Sequence, residues 1–234
     1  MLLVRLGHED DEPLYRDRAH AGVVLAGRLG HHAARPDVVV LALPRGGVPV
    51  GYEVARALEA PLEAFLVRKL GVPGHEEMAM GAVATGGVRV VNDTTLASLG
   101  ITEEELDAVT ERERRELQSR QDRYRRGEPA LELAGKVAIL VDDGLATGSS
   151  MRAAVAAVRH HQPARVVVAV PTGAAAVCEQ LTGDVDELHC TANPTPFHAV
   201  GLSYRDFSQT SDEEVRRLLG GARSSPVTGP SSPD

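Results

Sequence analysis

Two adjacent carboxylates, Asp142 and Asp143, follow an apolar run in the segment VAILVDDGLATGSSM, which spans residues 137–151. The run is a continuous β-rich stretch bounded by turn residues, and it predicts a buried parallel strand. Residues 144–150 are small or carry hydroxyls, and from Gly148 onward the sequence predicts a helix. The N–H groups and the dipole at a helix N-terminus attract an anion, and two carboxylates can accept from vicinal hydroxyls. The combination suits a sugar that carries a phosphate.

Other phosphate-binding motifs fit this segment less well. A P-loop needs a Lys after its second Gly, whereas Gly148 is followed by Ser149 and the loop holds no Lys. The dinucleotide-binding pattern G-x-G-x-x-G and its acidic residue on a later strand are both missing. A phosphoacceptor site could hold Mg²⁺ with paired acids, but it would not need the Thr-Gly-Ser turn beside them. An ordinary strand–helix turn with Asp143 as a cap stays open as the structural alternative.

Strand and helix patterns alternate along the rest of the chain, which predicts an α/β fold. The expected architecture is a mostly parallel central sheet flanked by helices on both faces, with a helical insertion and a C-terminal segment. Strands are predicted at residues 38–43, 62–67, 88–91, 137–141, 165–170 and 187–191, and helices at residues 14–29, 50–58, 103–126, 148–161 and 211–219.

Composition limits the size, the partners and the location that we expect for the protein. The 234 residues suit one sizeable domain, expected over residues 1–221, with a disordered Ser/Pro/Gly-rich tail over 222–234. The net charge of −8 disfavours nucleic acid as a partner. No apolar run reaches the length of a membrane span and residues 1–10 lack a signal-peptide pattern, so we expect a cytoplasmic protein. The two cysteines and the paired histidines lack ligand spacing, and we expect no metal there.

Asp142–Met151 closely resembles the PRPP (5-phosphoribosyl 1-pyrophosphate) signature of type I phosphoribosyltransferases, most of all the adenine-type form. The resemblance implies the fold of that family and assigns Asp142 and Asp143 to the ribose 2′- and 3′-hydroxyls. An Asp stands at the position of Ala146 in 6-oxopurine enzymes of the family, so its absence argues against hypoxanthine or guanine. The resemblance further implies that the 5′-phosphate is bound through backbone N–H groups and two hydroxyls of Leu145, Ala146, Thr147, Gly148 and Ser149.

A second motif, LALPRGGVPVG at residues 41–51, matches the pyrophosphate loop of this family. Arg45 would be the charged donor, and Gly46 and Gly47 would let the backbone approach an anion closely. The resemblance also implies a non-proline cis peptide bond near residues 44–46. The family's usual Arg-Lys pair is matched by Arg68 and Lys69, so that Arg45, Lys69 and the two acids form the expected catalytic set.

Residues 71–127 are expected to form a mobile loop and a helical insertion. The Gly-rich part, residues 71–87, lies where the family has a loop that closes over the site and excludes water. It carries three titratable groups that are candidates for ligand contact: His75, Glu76 and Glu77. The Arg-rich helix 103–126 begins with a capping box and reads most simply as a solvated, salt-bridged face. Its apolar stripe is a candidate lid or dimer contact (Leu106, Val109, Leu117 and Tyr124), and we expect a homodimer.

Residues 192–221 are expected to form a hood over the accepting base. Aromatic faces could stack on a ring and a carboxylate could accept from its N–H groups, although packing of the last helix explains the same aromatics equally well. The candidate residues are Phe197, Tyr204, Asp206 and Phe207.

The resemblance therefore implies a transferase that moves the phosphoribosyl group of PRPP to an unidentified nitrogenous base and releases pyrophosphate. Mg²⁺ is the implied cofactor; no direct ligand is assigned, and Asp142 and Asp143 could reach it through water. A PRPP-binding regulator without turnover is the alternative from another class. An enzyme acting on a different phosphosugar is a third hypothesis, but it would not need the loop around Arg45.

Overall fold

The computed structural model of the chain describes residues 12–125 and 132–223. The strands are β1 (Val38–Ala42), β2 (Leu62–Ala64), β3 (Val67–Val72), β4 (His75–Ala84), β5 (Arg89–Val91), β6 (Val137–Val141), β7 (Arg165–Thr172) and β8 (Glu187–Ala192). The helices are α1 (Arg18–Ala26), α2 (Gly47–Leu58), α3 (Asp93–Leu99), α4 (Glu103–Arg125), α5 (Ser149–Arg159), α6 (Ala175–Thr182) and α7 (Asp212–Arg223). Among these, α3, α6, β3 and β4 were not anticipated from the sequence, and the strand predicted over residues 62–67 ends at Ala64 as β2.

A five-stranded sheet in the order β2-β1-β6-β7-β8 forms the centre of the molecule, and every pair in it is parallel. The prediction of an α/β fold with a parallel central sheet is confirmed. All five residues of β1 and of β6 are buried, as expected for strands that helices cover on both faces.

Two apolar clusters fill the space on the two faces of this sheet. Alternate residues of β1 point to opposite sides, so Val38 and Val40 join α1, α2 and α7, whereas Val39 and Leu41 join α5 and α6. Because the strands are parallel, their carboxyl ends lie along one edge of the sheet. The segments that follow β1 and β6, which carry the two motifs, are therefore placed side by side.

A second sheet, β3-β4-β5, is antiparallel and contains most of the segment expected to be a loop. The prediction of a loop without regular secondary structure is corrected for residues 71–72 and 75–84, because β3 and β4 pair there, through Val72 and His75 among others. Some of its glycines serve this pairing: a Cβ on Gly71 would lie 2.8 Å from the carbonyl oxygen of Glu76. Closure of this segment over the site stays a prediction.

Helix α4 packs its apolar stripe inside the same chain. Its four stripe residues are buried in the cluster that also contains α2, α7 and β3 (Leu106, Val109, Leu117 and Tyr124). The stripe is therefore not available as a lid or dimer surface, and the sequence-based assignment is corrected on this point. The capping box is confirmed, since Glu105 N–H donates to Thr102 Oγ1 at 3.2 Å and Thr102 N–H to Glu105 Oε2 at 2.9 Å.

The C-terminal helix α7 begins after Ser211, whose Oγ accepts from the N–H of Glu214 at 3.1 Å. It continues through Gly220 and Gly221 to Arg223, so the prediction that the two glycines end it is wrong. Of the expected tail, residues 224–234 lie outside the described part of the chain. Within the described ranges, none of the helices combines the length and apolar character that crossing a membrane requires.

Candidate functional site

The two sequence motifs meet at the carboxyl edge of the central sheet. A Cβ added to Gly47 would lie 2.7 Å from the carbonyl oxygen of Val141, and one added to Gly46 would overlap the carboxylate of Asp143, 2.7 Å from its Cγ. The loop after β1 therefore lies directly against the two acids after β6. Glycine is required at both positions because any side chain would displace the neighbouring strand end.

Arg45 follows a cis peptide bond between Pro44 and Arg45, as the resemblance implied. Its guanidinium reaches away from the sheet edge toward Asp212 at the start of α7, with Nη1 3.7 Å from Oδ1. The same carboxylate accepts from the hydroxyl of Tyr124 at 2.7 Å and from Arg123 Nη1 at 3.2 Å. The side chain of Arg45 is thus held beside α4 and α7, partly open to solvent.

Arg18, on α1, contacts Asp143 directly. Its Nε donates to Asp143 Oδ2 at 2.8 Å, and its Nη1 donates to the carbonyl oxygen of Ser208 at 2.7 Å. The guanidinium carbon lies 3.8 Å from the centroid of the Phe207 ring, a cation–π arrangement. One side chain thereby connects α1, an acid of the PRPP-like motif and the C-terminal segment.

Both acids are set in surroundings that favour protonation. Burial, followed by the charge of Asp143, raises the pKa of Asp142 well above its ordinary value. Burial also raises the pKa of Asp143, although the hydrogen bond and charge of Arg18 act against it. The N–H of Asp143 donates to Asp142 Oδ1 at 2.9 Å. A cation at this place would balance the negative charge of the pair, and hydroxyl donors would hydrogen-bond to its carboxylate oxygens.

The loop after the acids presents part of the expected anion site. Leu145 is the exception: its N–H donates to the carbonyl oxygen of Thr172 at 2.9 Å and its side chain is buried. Its expected role as a phosphate donor is therefore corrected. For Ala146, Thr147 and Gly148, the described residues supply no acceptor to the N–H groups. Ser149 Oγ lies 3.0 Å from Thr147 Oγ1, so three amides and two hydroxyls remain for a ligand.

Gly148 shapes this loop through its backbone. It stands immediately before α5 with φ 69°, in the left-handed region that favours glycine. A Cβ here would also lie 2.7 Å from Cγ1 of Val177 on α6. The turn that opens the N-terminus of α5 toward solvent therefore depends on this residue.

The Arg-Lys pair is divided between two environments because successive residues of a strand point to opposite faces. On β3, Arg68 binds Glu113 of α4, with Nη2 2.6 Å from Oε2. Lys69 is exposed and has no ion pair with a described residue. The three titratable loop candidates, His75, Glu76 and Glu77, lie exposed at the start of β4.

The candidate acceptor residues of the C-terminal segment also separate. Tyr204 is buried and its hydroxyl donates to the carbonyl oxygen of Asp143 at 2.5 Å, so it supports the acid loop and presents no free ring face. Asp206 is exposed and accepts from the N–H of Ser208 at 2.9 Å. Phe207, which stacks on Arg18, and the half-buried Phe197 are the aromatic rings left for a base.

Comparison with known proteins decides the family. Residues 20–191 match the model of the phosphoribosyl transferase domain, and this stretch includes both motifs and the central sheet except for the last residue of β8. The chain belongs to this phosphoribosyl transferase family.

Two curated Mycobacterium tuberculosis proteins, from strains CDC 1551 and H37Rv, are provisionally named phosphoribosyl transferases. Each is 47% identical to the chain over 206 residues, which is 88% of the chain. The chain spans about half the length of these relatives, 46%. The crystal structure of TT1426 from Thermus thermophilus is 43% identical and superposes with a TM-score of 0.80, covering 88% of this chain and 97% of that one.

Two contributors to the site, both just before the stretch that matches the phosphoribosyl transferase domain, were missed from the sequence. Arg18 carried no motif, because its contact with Asp143 joins residues far apart in the chain. Tyr15 pairs with Tyr204, with ring centroids 5.5 Å apart, and its hydroxyl donates to the carbonyl oxygen of Pro171 at 2.7 Å. Only the fold brings this N-terminal segment to the C-terminal one.

Proposed function

We propose that the chain is a phosphoribosyltransferase that moves the 5-phosphoribosyl group of PRPP to a nitrogenous base and releases pyrophosphate. The contact between Gly46 and Asp143 carries the proposal. It joins a loop suited to pyrophosphate with a pair of acids suited to ribose hydroxyls. A protein that bound only a sugar phosphate would have no need of the first loop beside the second.

The ribose and its phosphate would occupy the acid loop and the start of α5. Asp142 and Asp143 would accept from the two vicinal hydroxyls, which favours their ionised forms despite burial. The 5′-phosphate would take the free N–H groups of residues 146–148 together with the hydroxyls of Thr147 and Ser149. The dipole of α5 adds to this attraction.

The pyrophosphate would lie on the other side of the acids. The backbone of Gly46 and Gly47 allows the close approach that a doubly charged group requires. Arg45 would contribute its guanidinium by turning from Asp212, whose contact at 3.7 Å is long for an ion pair. Lys69 is the second candidate cation for the leaving group.

Magnesium fits the chemistry of this donor set. Two neighbouring carboxylates, compensated by the single guanidinium of Arg18, supply excess negative charge and oxygen acceptors for the water ligands that Mg²⁺ keeps. Asp142 and Asp143 would hold it through water. When bound, the magnesium ion would neutralise the negative charge that develops on the departing pyrophosphate.

The protein's own groups would act mainly by holding the two reactants in position. Positive charge developing at the sugar C1 is favoured by the fixed carboxylates of Asp142 and Asp143. Arg18 would hold Asp143 in place, and Phe207 would cover the face from which a ring nitrogen attacks. Holding both reactants in this geometry removes much of the entropic barrier to a bimolecular reaction.

The acceptor would bind near Phe207, Phe197 and Asp206. Ala146 is exposed at the place where an acid would contact a 6-oxopurine, so hypoxanthine and guanine are not the expected acceptors. Adenine-like purines, pyrimidines and pyridines remain the candidate acceptors.

The formation of a homodimer and a cytoplasmic location also remain predictions.

A PRPP-binding regulator is the second candidate function. Arg68 is held by Glu113, and the guanidinium of Arg45 lies 3.7 Å from the carboxylate of Asp212. A protein in which both guanidiniums stayed beside these carboxylates could bind PRPP without cleaving it.

The test is to incubate the protein with PRPP, Mg²⁺ and a panel of purines, pyrimidines and pyridines while pyrophosphate release is followed. We expect release with one class of base. Binding of PRPP without release from any base would favour the regulator instead.

Asp143→Asn tests the ribose assignment separately, with Asp184→Asn, an exposed carboxylate elsewhere, as the matched control. We expect weaker PRPP binding only in Asp143→Asn, with an unchanged circular dichroism spectrum. Unchanged PRPP affinity in Asp143→Asn would contradict the assignment.

A further inference from the structure

Four side chains outside the candidate site meet at the opposite end of the central sheet. His31 and His32 lie in the short 3-10 turn Gly30–His32 after α1, and Glu187 and His189 lie on the edge strand β8. Glu187 is the first residue of β8, whereas the phosphoribosyl site follows the carboxyl end of β6. Since the strands are parallel, the two clusters occupy different edges of the sheet.

The carboxylate of Glu187 is at the centre of this cluster. His31 Nε2 and His189 Nε2 each lie 2.6 Å from Oε1, and His32 Nε2 lies 3.3 Å from Oε2. One ligand atom each from His31, His32 and Glu187 lies within 4.8 Å of the other two. Two ligand atoms bound to one tetrahedral zinc ion are about 3.4 Å apart, so small side-chain movements bring all three within range.

His32 supplies the observation that points to a ligand. Its side chain is 0% exposed, and neither ring nitrogen makes a hydrogen bond with any described residue. A buried imidazole with both nitrogens unpaired is costly, because each lost its hydrogen bonds to water on folding. The contact of Nε2 with Glu187 is within ion-pair distance but lacks hydrogen-bond geometry. A metal ion between these atoms would satisfy the nitrogen that faces Glu187.

One positive charge opposes a cation at this cluster. The guanidinium of Arg165 lies close to Glu187, with Nη2 3.5 Å from Oε2.

We propose that His31, His32 and Glu187 form a binding site for a divalent transition metal, with zinc as the best match to two imidazoles and a carboxylate. His189 is a positioning residue that donates to the carboxylate and orients it. Because His31 is half exposed, the fourth position of the ion is open to water. The proposal revises the expectation that the paired histidines bind no metal, and it is independent of the proposed transferase activity.

The bound ion would connect two distant parts of the chain. The 3-10 turn follows α1, the helix that carries Arg18, while β8 is the edge strand of the sheet. Zinc would fasten this turn to the edge strand and raise the melting temperature of the folded protein.

The experiment uses the full chain without a histidine tag. Zinc binding is measured by equilibrium dialysis and by competition with a chromophoric chelator, and Co²⁺ is substituted to record its absorption bands. We expect about one zinc per chain and Co²⁺ bands typical of tetrahedral coordination. His31→Ala, an exposed position that leaves the core intact, should lower zinc affinity at least tenfold and abolish the thermal shift on adding zinc. His189→Ala should lower the affinity by about 10–100-fold.

His160→Ala is the matched control, because His160 is an exposed histidine on a different element. It should bind zinc as the wild type does. Arg165→Gln should bind zinc more tightly than the wild type, since an opposing charge is removed. Absence of bound zinc in the wild type, or equal affinity in wild type and His31→Ala, would overturn the proposal.

Discussion

The guanidinium of Arg18 holds the carboxylate of Asp143 at 2.8 Å while it stacks on the ring of Phe207. Both members of the pair are largely shielded from water, with side-chain exposures of 11% for Arg18 and 16% for Asp143. A charge-assisted hydrogen bond in such surroundings is stronger than an exposed ion pair. Arg18 therefore fixes the position of one of the two acids and favours its ionised form against the effect of burial.

Arg18→Gln should weaken PRPP binding and shift its pH dependence. Without the guanidinium, burial acts unopposed and the pKa of Asp143 rises further. The ionised form of Asp143 is the stronger acceptor for the proposed ribose hydroxyl. As the pH falls, we therefore expect the variant to lose PRPP affinity at a higher pH than the wild type does. Loss of a hydrogen bond to a charged group costs about 1.5–3 kcal/mol, which corresponds to an affinity loss of roughly 10- to 100-fold. Calorimetric titration with PRPP from acidic to mildly alkaline pH measures both effects.

Arg28→Gln is the control for this substitution, because Arg28 is an exposed arginine just after α1. Its PRPP affinity and pH profile should match the wild type. A pH profile of Arg18→Gln that superposes on the wild type would show that Arg18 does not control the ionisation of Asp143.

Gly46→Ala tests the contact between the two motifs. The added methyl would overlap the carboxylate of Asp143, so the loop or the acid must move. We expect a loss of stability of about 1–3 kcal/mol together with a large loss of PRPP affinity. Gly30→Ala adds a methyl that meets nothing within 4 Å and serves as the control. Thermal unfolding and PRPP titration of both variants measure the effects, and wild-type affinity in Gly46→Ala would contradict the close approach.

The central sheet and the two acids were predictable because their signals are local. The apolar run before Asp142 and the one before Pro44 each specify a buried strand, and parallel pairing then places the segments after them at one edge. The family resemblance rested on these same contiguous stretches. The strand order, which places β1 beside β6 and so brings Gly46 close to Asp143, was not predicted from the sequence.

The contacts that complete the site could not be predicted, since they join distant residues. Arg18 and Asp143 are 125 positions apart, and Arg68 and Glu113 are 45 apart. The segment 71–87 was mistaken for a loop because its glycines suggested flexibility, whereas in the fold Gly71 permits close approach of β3 and β4. Leu145 was misassigned for a different reason: its N–H pairs with Thr172 at the end of β7, a strand that was predicted but whose closeness to Leu145 the local sequence does not reveal.

Arg68→Gln and Lys69→Gln should have opposite consequences. Arg68 is paired with the nearly buried Glu113, so its loss should lower the free energy of unfolding by about 1 kcal/mol with little change in PRPP affinity. Lys69 is exposed, and its loss should leave stability unchanged while lowering pyrophosphate release or PRPP affinity about tenfold or more. Denaturant unfolding and PRPP titration separate the two effects.

Lys136→Gln is the control for Lys69→Gln, because Lys136 lies before β6 at the other end of that strand and donates to the carbonyl oxygen of Pro36. It should retain wild-type affinity for PRPP. Greater impairment of PRPP binding by Arg68→Gln than by Lys69→Gln would contradict the assignment of Arg68 to fold stability and of Lys69 to PRPP binding.

Tyr15→Phe should change how stability responds to alkaline pH. Burial raises the pKa of Tyr15 from 10.0 to about 12, with a smaller contribution from Cys190. Because the folded-state pKa lies above the unfolded value, this contribution to stability is complete below pH 10 and is lost as the pH rises through about 12. The shift corresponds to roughly 2–3 kcal/mol. At neutral pH the variant should be about 1 kcal/mol less stable than the wild type, since the hydroxyl no longer donates to Pro171.

The two stability curves should therefore converge, and then cross, as the pH rises, because Tyr15→Phe lacks the group that titrates. Reversible denaturant unfolding at a series of alkaline pH values measures the difference between them. Tyr52→Phe, at a half-buried tyrosine on α2, is the control and should follow the wild type in parallel. A constant gap between wild type and Tyr15→Phe across this range would show that Tyr15 ionises as readily in the folded protein as in the unfolded chain, and that the packing of the N-terminal segment against Tyr204 does not exclude water from its hydroxyl.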